Sequence, residues 1–220
     1  MISHMKKIIC LLMVAGFLHG ASAQFQGTLT YECVHANKVI IVYSQSGSRV
    51  RIDGKVIPIK AGVADPTGEK DQDVLLFDLS ASKETHLHAA GMTAYTTQFV
   101  GPMQEQAMHL SDKDITIQQL GPEKIGEYSC RHIVLSIHGG KRDLWITKDL
   151  GGTPGVCIAG TFLYYTPGSL ILKKLIDAGD DGVIVKSMSG PLIMTLTGYD
   201  KKIPPASMYS IPSGYTAMSR

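Results

Sequence analysis

Apolar and polar residues alternate with a period of two along most of the stretch from Phe25 to about Leu150, the spacing of half-buried strands. Residues 28–34 alternate in this way, with Leu29, Tyr31 and Cys33 on one face. Residues 38–43 (KVIIVY) form a continuous β-branched run, which predicts a strand buried on both faces. A turn at 44–47 leads into 48–53, and Asp53-Gly54 predicts a hairpin that returns through 55–59. Pro58 marks that return as an edge or an end, because proline cannot donate to a ladder. Further strands are expected at 74–79, 84–88, 93–99 and 115–120. Gly121-Pro122 predicts the turn into the longest alternating strand, 127–137, and Gly139-Gly140 the turn back through 143–147. Residues 102–110 read as a short helix with proline in its first turn.

One segment changes period. Within 169–178, Leu170, Ile171, Leu172, Leu175 and Ile176 form a helical stripe opposite Lys173, Lys174 and Asp177. Pro167-Gly168-Ser169 supplies its start and Gly179 its stop. Asp181-Gly182 then turns into a strand at 183–187, Ser189-Gly190-Pro191 into another at 192–199, and 201–220 forms a tail. A many-stranded antiparallel sheet with one late helix has no crossover that would hide the helix. The sheet must curl around it, or the helix must plug an open face. The expected fold is therefore mainly β (α+β): an open antiparallel β half-barrel curled around an amphipathic helix, as one domain over 24–220.

The first residues read differently. Met5-Lys6-Lys7 is a basic start, 8–18 is apolar, and Ala21-Ser22-Ala23 is a small-residue cleavage site, so 1–23 is expected to be a signal peptide. The mature protein is then exported, periplasmic or secreted. The apolar run is short for a bilayer, and no transmembrane segment is expected in the mature chain. Cys10 sits at the start of that run, where a lipoprotein signal would need it at the end, so no lipid anchor is expected. The 44% hydrophobic content excludes disorder. Lys and Arg total 21 against 19 acids, and loss of Lys6 and Lys7 leaves 19 against 19. A neutral mature chain has no electrostatic footprint for nucleic acid.

Candidate chemistry is sparse. After cleavage Cys33, Cys130 and Cys157 remain in an oxidising compartment. Three is odd, so at most one bridge forms within the chain; Cys130 with Cys157 is the expected pair, and Cys33 a buried hydrophobe. The absence of CxxC spacing removes the usual signature of redox catalysis or structural zinc. His86 and His88 share a strand face at a spacing that suits a metal, but no argument places a third ligand such as His132 beside them; they are read as solvated. There is no Gly-x-Ser-x-Gly elbow, and Gly151-Gly152-Thr153-Pro154-Gly155 lacks the lysine of a phosphate loop. No catalytic residue, metal site or cofactor is assigned. Trp145, the single tryptophan, and the stripe residues Leu172, Leu175 and Ile176 are the candidates for contact with an apolar ligand.

Three stretches carry a family resemblance: Phe25-Gln26-Gly27-Thr28-Leu29-Thr30-Tyr31; Ile125-Gly126-Glu127-Tyr128-Ser129-Cys130-Arg131-His132 with Leu144-Trp145-Ile146-Thr147-Lys148-Asp149-Leu150-Gly151; and Ile203-Pro204 with Met208-Tyr209-Ser210-Ile211-Pro212-Ser213-Gly214-Tyr215. The chain resembles the exported DUF4412 family of Gram-negative bacteria, a family of unknown function. It is similar, more remotely, to lipoprotein carriers and receptors of the LolA and LolB type. The family's Gly-Tyr-Lys-Cys stands here as Gly126-Glu127-Tyr128-Ser129-Cys130. The resemblance implies a LolA-like half-barrel with helix over a hydrophobic concavity. The expected function is non-catalytic binding of a hydrophobic or lipidic ligand in the cell envelope. The alternatives are a structural or interaction module that contacts an envelope protein, and an envelope hydrolase.

Overall fold

The structure is a computed structural model that describes residues 25–34, 37–71, 73–81, 83–98, 110–152, 157–158, 163–164 and 170–219. The leader expected at 1–23 and, save Leu110, the short helix expected at 102–110 lie outside the described residues.

The strands in chain order are β1 (Gly27–Val34), β2 (Asn37–Ser46), β3 (Arg49–Lys60), β4 (Val63–Ala64), β5 (Lys70–Asp71), β6 (Val74–Asp78), β7 (Lys83–His88) and β8 (Thr93–Gln98), followed by β9 (Ile115–Ile125), β10 (Tyr128–Ile137), β11 (Gly140–Thr147), β12 (Cys157–Ile158) and β13 (Leu163–Tyr164). The α-helix α1 (Leu170–Asp177) precedes β14 (Val183–Ser189), β15 (Leu192–Asp200) and β16 (Thr216–Ser219). One open, unclosed sheet runs β16-β8-β7-β6-β3-β2-β1-β15-β14-β11-β10-β9, with β4 and β5 beside β3, while β12 and β13 pair only with each other. The fold is mainly β, and α1 is the one α-helix among the described residues.

Two turns and the tail differ from expectation. Asp53-Gly54 does not reverse the chain; β3 continues through it, paired without a break to β2 from Arg49↔Ser46 to Pro58↔Asn37. The one reversal between β2 and β3 falls at Gly47-Ser48, at the end of the turn expected at 44–47, where Gly47 supplies φ 58°. A ladder along the whole of β2 outweighs one local turn preference, and Arg51 ties Asp53 on the same face through Nε–Oδ2 at 2.8 Å and Nη2–Oδ1 at 2.6 Å. Gly121-Pro122 likewise stays within a strand, paired with His132 and Arg131 just after a bulge at Leu120, and β9 turns at Gly126-Glu127. The tail is no loose end. Arg51 Nη1 donates to the Met208 carbonyl at 3.0 Å, and β16 adds to β8 as the one parallel pair of this sheet.

Side-chain parity divides the sheet into two faces. On the inner face, Ile133 pairs with Leu144, Leu144 with Ser187, Ser187 with Met194, Met194 with Cys33 and Cys33 with Val39. Alongside run Leu29, Tyr43, Ile52 and Leu75. These residues, save Ser187, belong with Phe25 to the main core or pack against it. A smaller core of Leu76, Leu87 and Ala94 lies on the opposite face, with Tyr215 of the tail packed on it.

Candidate functional site

The helix α1 sits on the inner face. Ile171, Leu172 and Leu175 are buried in the main core, whereas Ile176 is 51% exposed. At about 100° per residue, Ile176 lies roughly a quarter-turn from the centre of the buried stripe, which Ile171, also of the expected stripe, shares with Leu172 and Leu175. The helix ends in a Schellman motif: Asp180 N–H donates to the Leu175 carbonyl at 2.7 Å and Gly179 N–H to Ile176 at 2.8 Å, with Gly179 at φ 74°. Arg131 of β10 completes the cap. Its Nη1 donates to Gly179 O at 2.8 Å, its Nη2 reaches Ala178 O at 3.4 Å, and its Nε lies 3.0 Å from Asp180 Oδ1. Gln119 of β9 also donates to Ala178 O, at 3.2 Å. A guanidinium at a helix C-terminus satisfies orphan carbonyls and opposes the negative dipole end.

Trp145 belongs to the other side of the sheet. It alternates along β11 with Leu144 and Ile146, which face inward, so parity sets Trp145 on the face away from Leu172 and Leu175, although all three belong to one connected core. Its indole is stacked on His132, directly across on β10, at a centroid distance of 4.1 Å and 18°. Lys186 Nζ of β14 lies 4.6 Å from the ring centroid. The indole N–H donates to Glu123 Oε2 at 2.7 Å. His132 sits between two carboxylates, with Nδ1 3.3 Å from Glu123 Oε2 and Nε2 2.9 Å from Asp143 Oδ1.

This is a converging histidine–carboxylate group, the feature a hydrolase would need. Both imidazole nitrogens, however, face carboxylates, and a general base must aim one nitrogen at its nucleophile. The cluster closes over Trp145, leaving it 6% exposed, and acts as a polar clamp across β9, β10, β11 and β14. Sequence reasoning named Trp145 and His132 but not Glu123, Asp143 or Lys186. The missing information was cross-strand register, which sequence spacing does not carry.

The apolar floor of the inner face ends at β6. Leu75 pairs with His86 and His86 with Tyr95, so Glu84, His86 and His88 line the same face on β7. His86 Nε2 lies 2.6 Å from Glu84 Oε1, and His88 Nδ1 is paired with Asp73. Among the described residues no three His, Cys, Asp or Glu side chains are grouped to hold a metal ion. The thiols are poor nucleophiles. Burial, with Glu32 nearby, pushes Cys33 up to about 12, and burial also raises Cys130. Both are free, buried thiols. The side chain of Cys157 lies outside the described residues, so its expected pairing with Cys130 is tested chemically below.

Comparison with known proteins bears on the fold. The model of a domain of unknown function, DUF4412, matches residues 25–215. An uncharacterized conserved protein from Thermus thermophilus superposes with a TM-score of 0.52 at 7% identity, over 88% of this chain and 89% of that one, a likeness of fold alone. A DUF1329 family protein from Desulfovibrio piger gives 0.25 at 8% identity, over 84% of this chain and 89% of the other. An outer membrane lipoprotein-sorting protein domain from Vibrio parahaemolyticus gives 0.22 at 9%, over 86% and 91%. Superpositions that weak carry no argument about mechanism. No curated protein matches the sequence.

Proposed function

The chain belongs to the DUF4412 family, whose function is unknown, and we propose that it is an exported, non-catalytic envelope protein that holds a hydrophobic or lipidic ligand on the inner face of its sheet. The sheet is read as a half-barrel curled over α1, with the helix as cover. The observation that carries this reading is a mismatch of size. An eight-residue helix is about 12 Å long, whereas a twelve-strand path at about 4.8 Å per strand is roughly 50 Å wide. The apolar floor under such a helix extends from β10 to β6, beyond what Ile171, Leu172 and Leu175 can cover; its residues, Leu29, Tyr43, Ile52, Leu75 and Met194 among them, are buried within the chain itself, so a ligand would enter by displacing other cover. An acyl chain has the right chemistry to share that floor, since it needs no polar partner. The polar end at Glu84, His86 and His88 would then lie beside the ligand's head.

Fluorescent fatty-acid titration alongside urea melts tests the reading. Saturable binding is expected, weakened more by Leu175→Ala than the fold is. A stability loss of about 2–5 kcal/mol with no saturable binding in the wild type would leave α1 as plain core. Native mass spectrometry of protein from envelope extract should show a co-purified lipid.

A second reading, an interaction module, is favoured by the outer face. There Val34 and Ile193, directly paired across β1 and β15, are 46% and 39% exposed, with Met188 next in register. Loss of envelope-protein cross-links in Ile193→Lys, with lipid binding intact, would favour it.

A further inference from the structure

We propose that the free edge of β9 is a self-association surface, at which a second copy of this chain adds its own β9 antiparallel to extend the sheet across a two-fold axis. β9 ends the sheet, and its only strand neighbour among the described residues is β10. An unpaired edge offers a row of N–H and C=O groups to any extended chain, and proteins blunt such edges with charges, prolines and bulges. β9 carries those devices only from its bulge at Leu120 onward, through Gly121, Pro122, Glu123 and Lys124. From Ile115 to Gln119 the sequence is ITIQQ, without charge, proline, glycine or bulge, and Leu120 at the bulge closes the stretch. Thr116, Gln118, Gln119 and Leu120 are all exposed there. Leu120 is 50% exposed, and Ile176 of α1, two residues from the carbonyl that Gln119 holds, is 51% exposed. Two large apolar side chains thus flank an unguarded stretch of backbone.

The occupant follows from the distribution of charge along the strand. The exposed Glu123 and Lys124 lie near the carboxyl end of β9, and Asp112, paired with Lys174 at 2.9 Å, Lys113 and Asp114 precede its amino end. Antiparallel self-pairing centred on Gln118 carries Lys124 of each copy toward Asp112 and Asp114 of the other, and Glu123 toward its Lys113. Parallel pairing would set Lys124 beside its own copy, a like-charge arrangement that disfavours it. The same register places Gln118 opposite Gln118 of the partner copy, and Ile117 opposite Gln119, within the unbulged stretch. A two-fold contact of this kind is self-complementary and closes at the dimer.

Register-specific cross-linking tests the proposal. Directly opposed residues in an antiparallel pair have Cα atoms about 4.5–5.5 Å apart, within disulfide reach. Under mild oxidation Gln118→Cys should form a covalent dimer, whereas Thr116→Cys alone and the wild type should not. Sedimentation equilibrium of the wild type should show a monomer–dimer equilibrium, weakened about tenfold or more by Leu120→Lys. Both sites are exposed, so circular dichroism and urea melts should confirm that these variants stay folded. A wild type that is monomeric at every concentration, or a dimer in which Gln118→Cys does not cross-link, would overturn the proposal. A peptide matching 115–120 that binds a monomeric protein would assign the edge to a foreign strand and overturn it equally. None of these readouts involves lipid, so the outcome is independent of the ligand-binding reading.

Discussion

Arg131 and Asp180 face each other at the end of the helix, Nε to Oδ1 at 3.0 Å, with the Asp180 side chain wholly buried. Neither carboxylate oxygen meets strict hydrogen-bond geometry, although the Gln119 amide, which donates to Ala178 O, lies close enough to favour the charged form. Burial raises the Asp180 carboxyl above its ordinary value, and Asp181 adds to the rise, against the pull of Arg131, Gln119 and Lys148.

A pH dependence follows. The folded state binds the Asp180 proton more tightly than the unfolded state. The group therefore destabilises the fold above its folded pKa, and that penalty is relieved as pH falls through the raised value toward the ordinary carboxylate range. Asp180→Asn should remove this contribution. Urea midpoints of the wild type minus those of the variant should thus increase from pH 7.5 to pH 5. A difference that stays flat, or falls, would contradict the burial of the charge.

The helix has one face that tolerates no charge and one that does. Leu172→Asp should cost about 3 kcal/mol or more, since an unpaired carboxylate would enter an apolar core. Ile176→Asp, at an exposed position, should cost no more than about 0.5 kcal/mol. Equal losses in chemical denaturation would mean that the stripe is wider than Ile171, Leu172 and Leu175.

Trp145 reports on the outer-face clamp because it is the single tryptophan in the sequence. His132→Ala removes the stacked ring and uncovers one face of the indole. The emission maximum should shift to the red, with a stability loss of about 1 kcal/mol. Lys186→Met keeps the apolar stem over the ring while removing the cation. A smaller spectral shift is expected there, with a loss of about 0.5–1 kcal/mol.

Thiol counting addresses the cysteines. Cys33 and Cys130 are buried and their thiols are raised, so neither should react quickly with a disulfide reagent in the native state. Both should react on unfolding. Should Cys130 react only after reduction, a bridge to Cys157 forms in the oxidised protein. Rapid native labelling of Cys33 would contradict its burial.

Gly182 is the tightest point between β11 and β14. A Cβ there would run into the Thr147 carbonyl and lie 2.8 Å from Ile146 Cγ2. Gly182→Ala should therefore destabilise by about 1–3 kcal/mol in urea melts, although the site reads in sequence only as the second residue of an Asp-Gly turn.

What the sequence determined by itself was the existence and kind of the elements. Period-two alternation marked β1, β7, β10 and β15 because each strand carries its buried and exposed faces in its own residues. The stripe from Ile171 to Leu175, with Gly179 after it, marked α1 for the same reason: helix periodicity and a left-handed cap are local properties. The tertiary structure decided everything that depends on a second segment. Asp53-Gly54 is a strong turn pair, yet pairing along all of β2 overrode it. Trp145 and Leu172 are both apolar and both buried, but they sit on opposite faces, because parity separates a strand's two sides without saying which one the helix will cover. Arg131 reads as a surface charge until β10 lies under the end of α1, and β16 has too few residues to declare itself before β8 offers an edge. Local periodicity is written along the chain. Register, facing and capping partners arise only when distant segments compete for the same backbone groups and the same apolar surface.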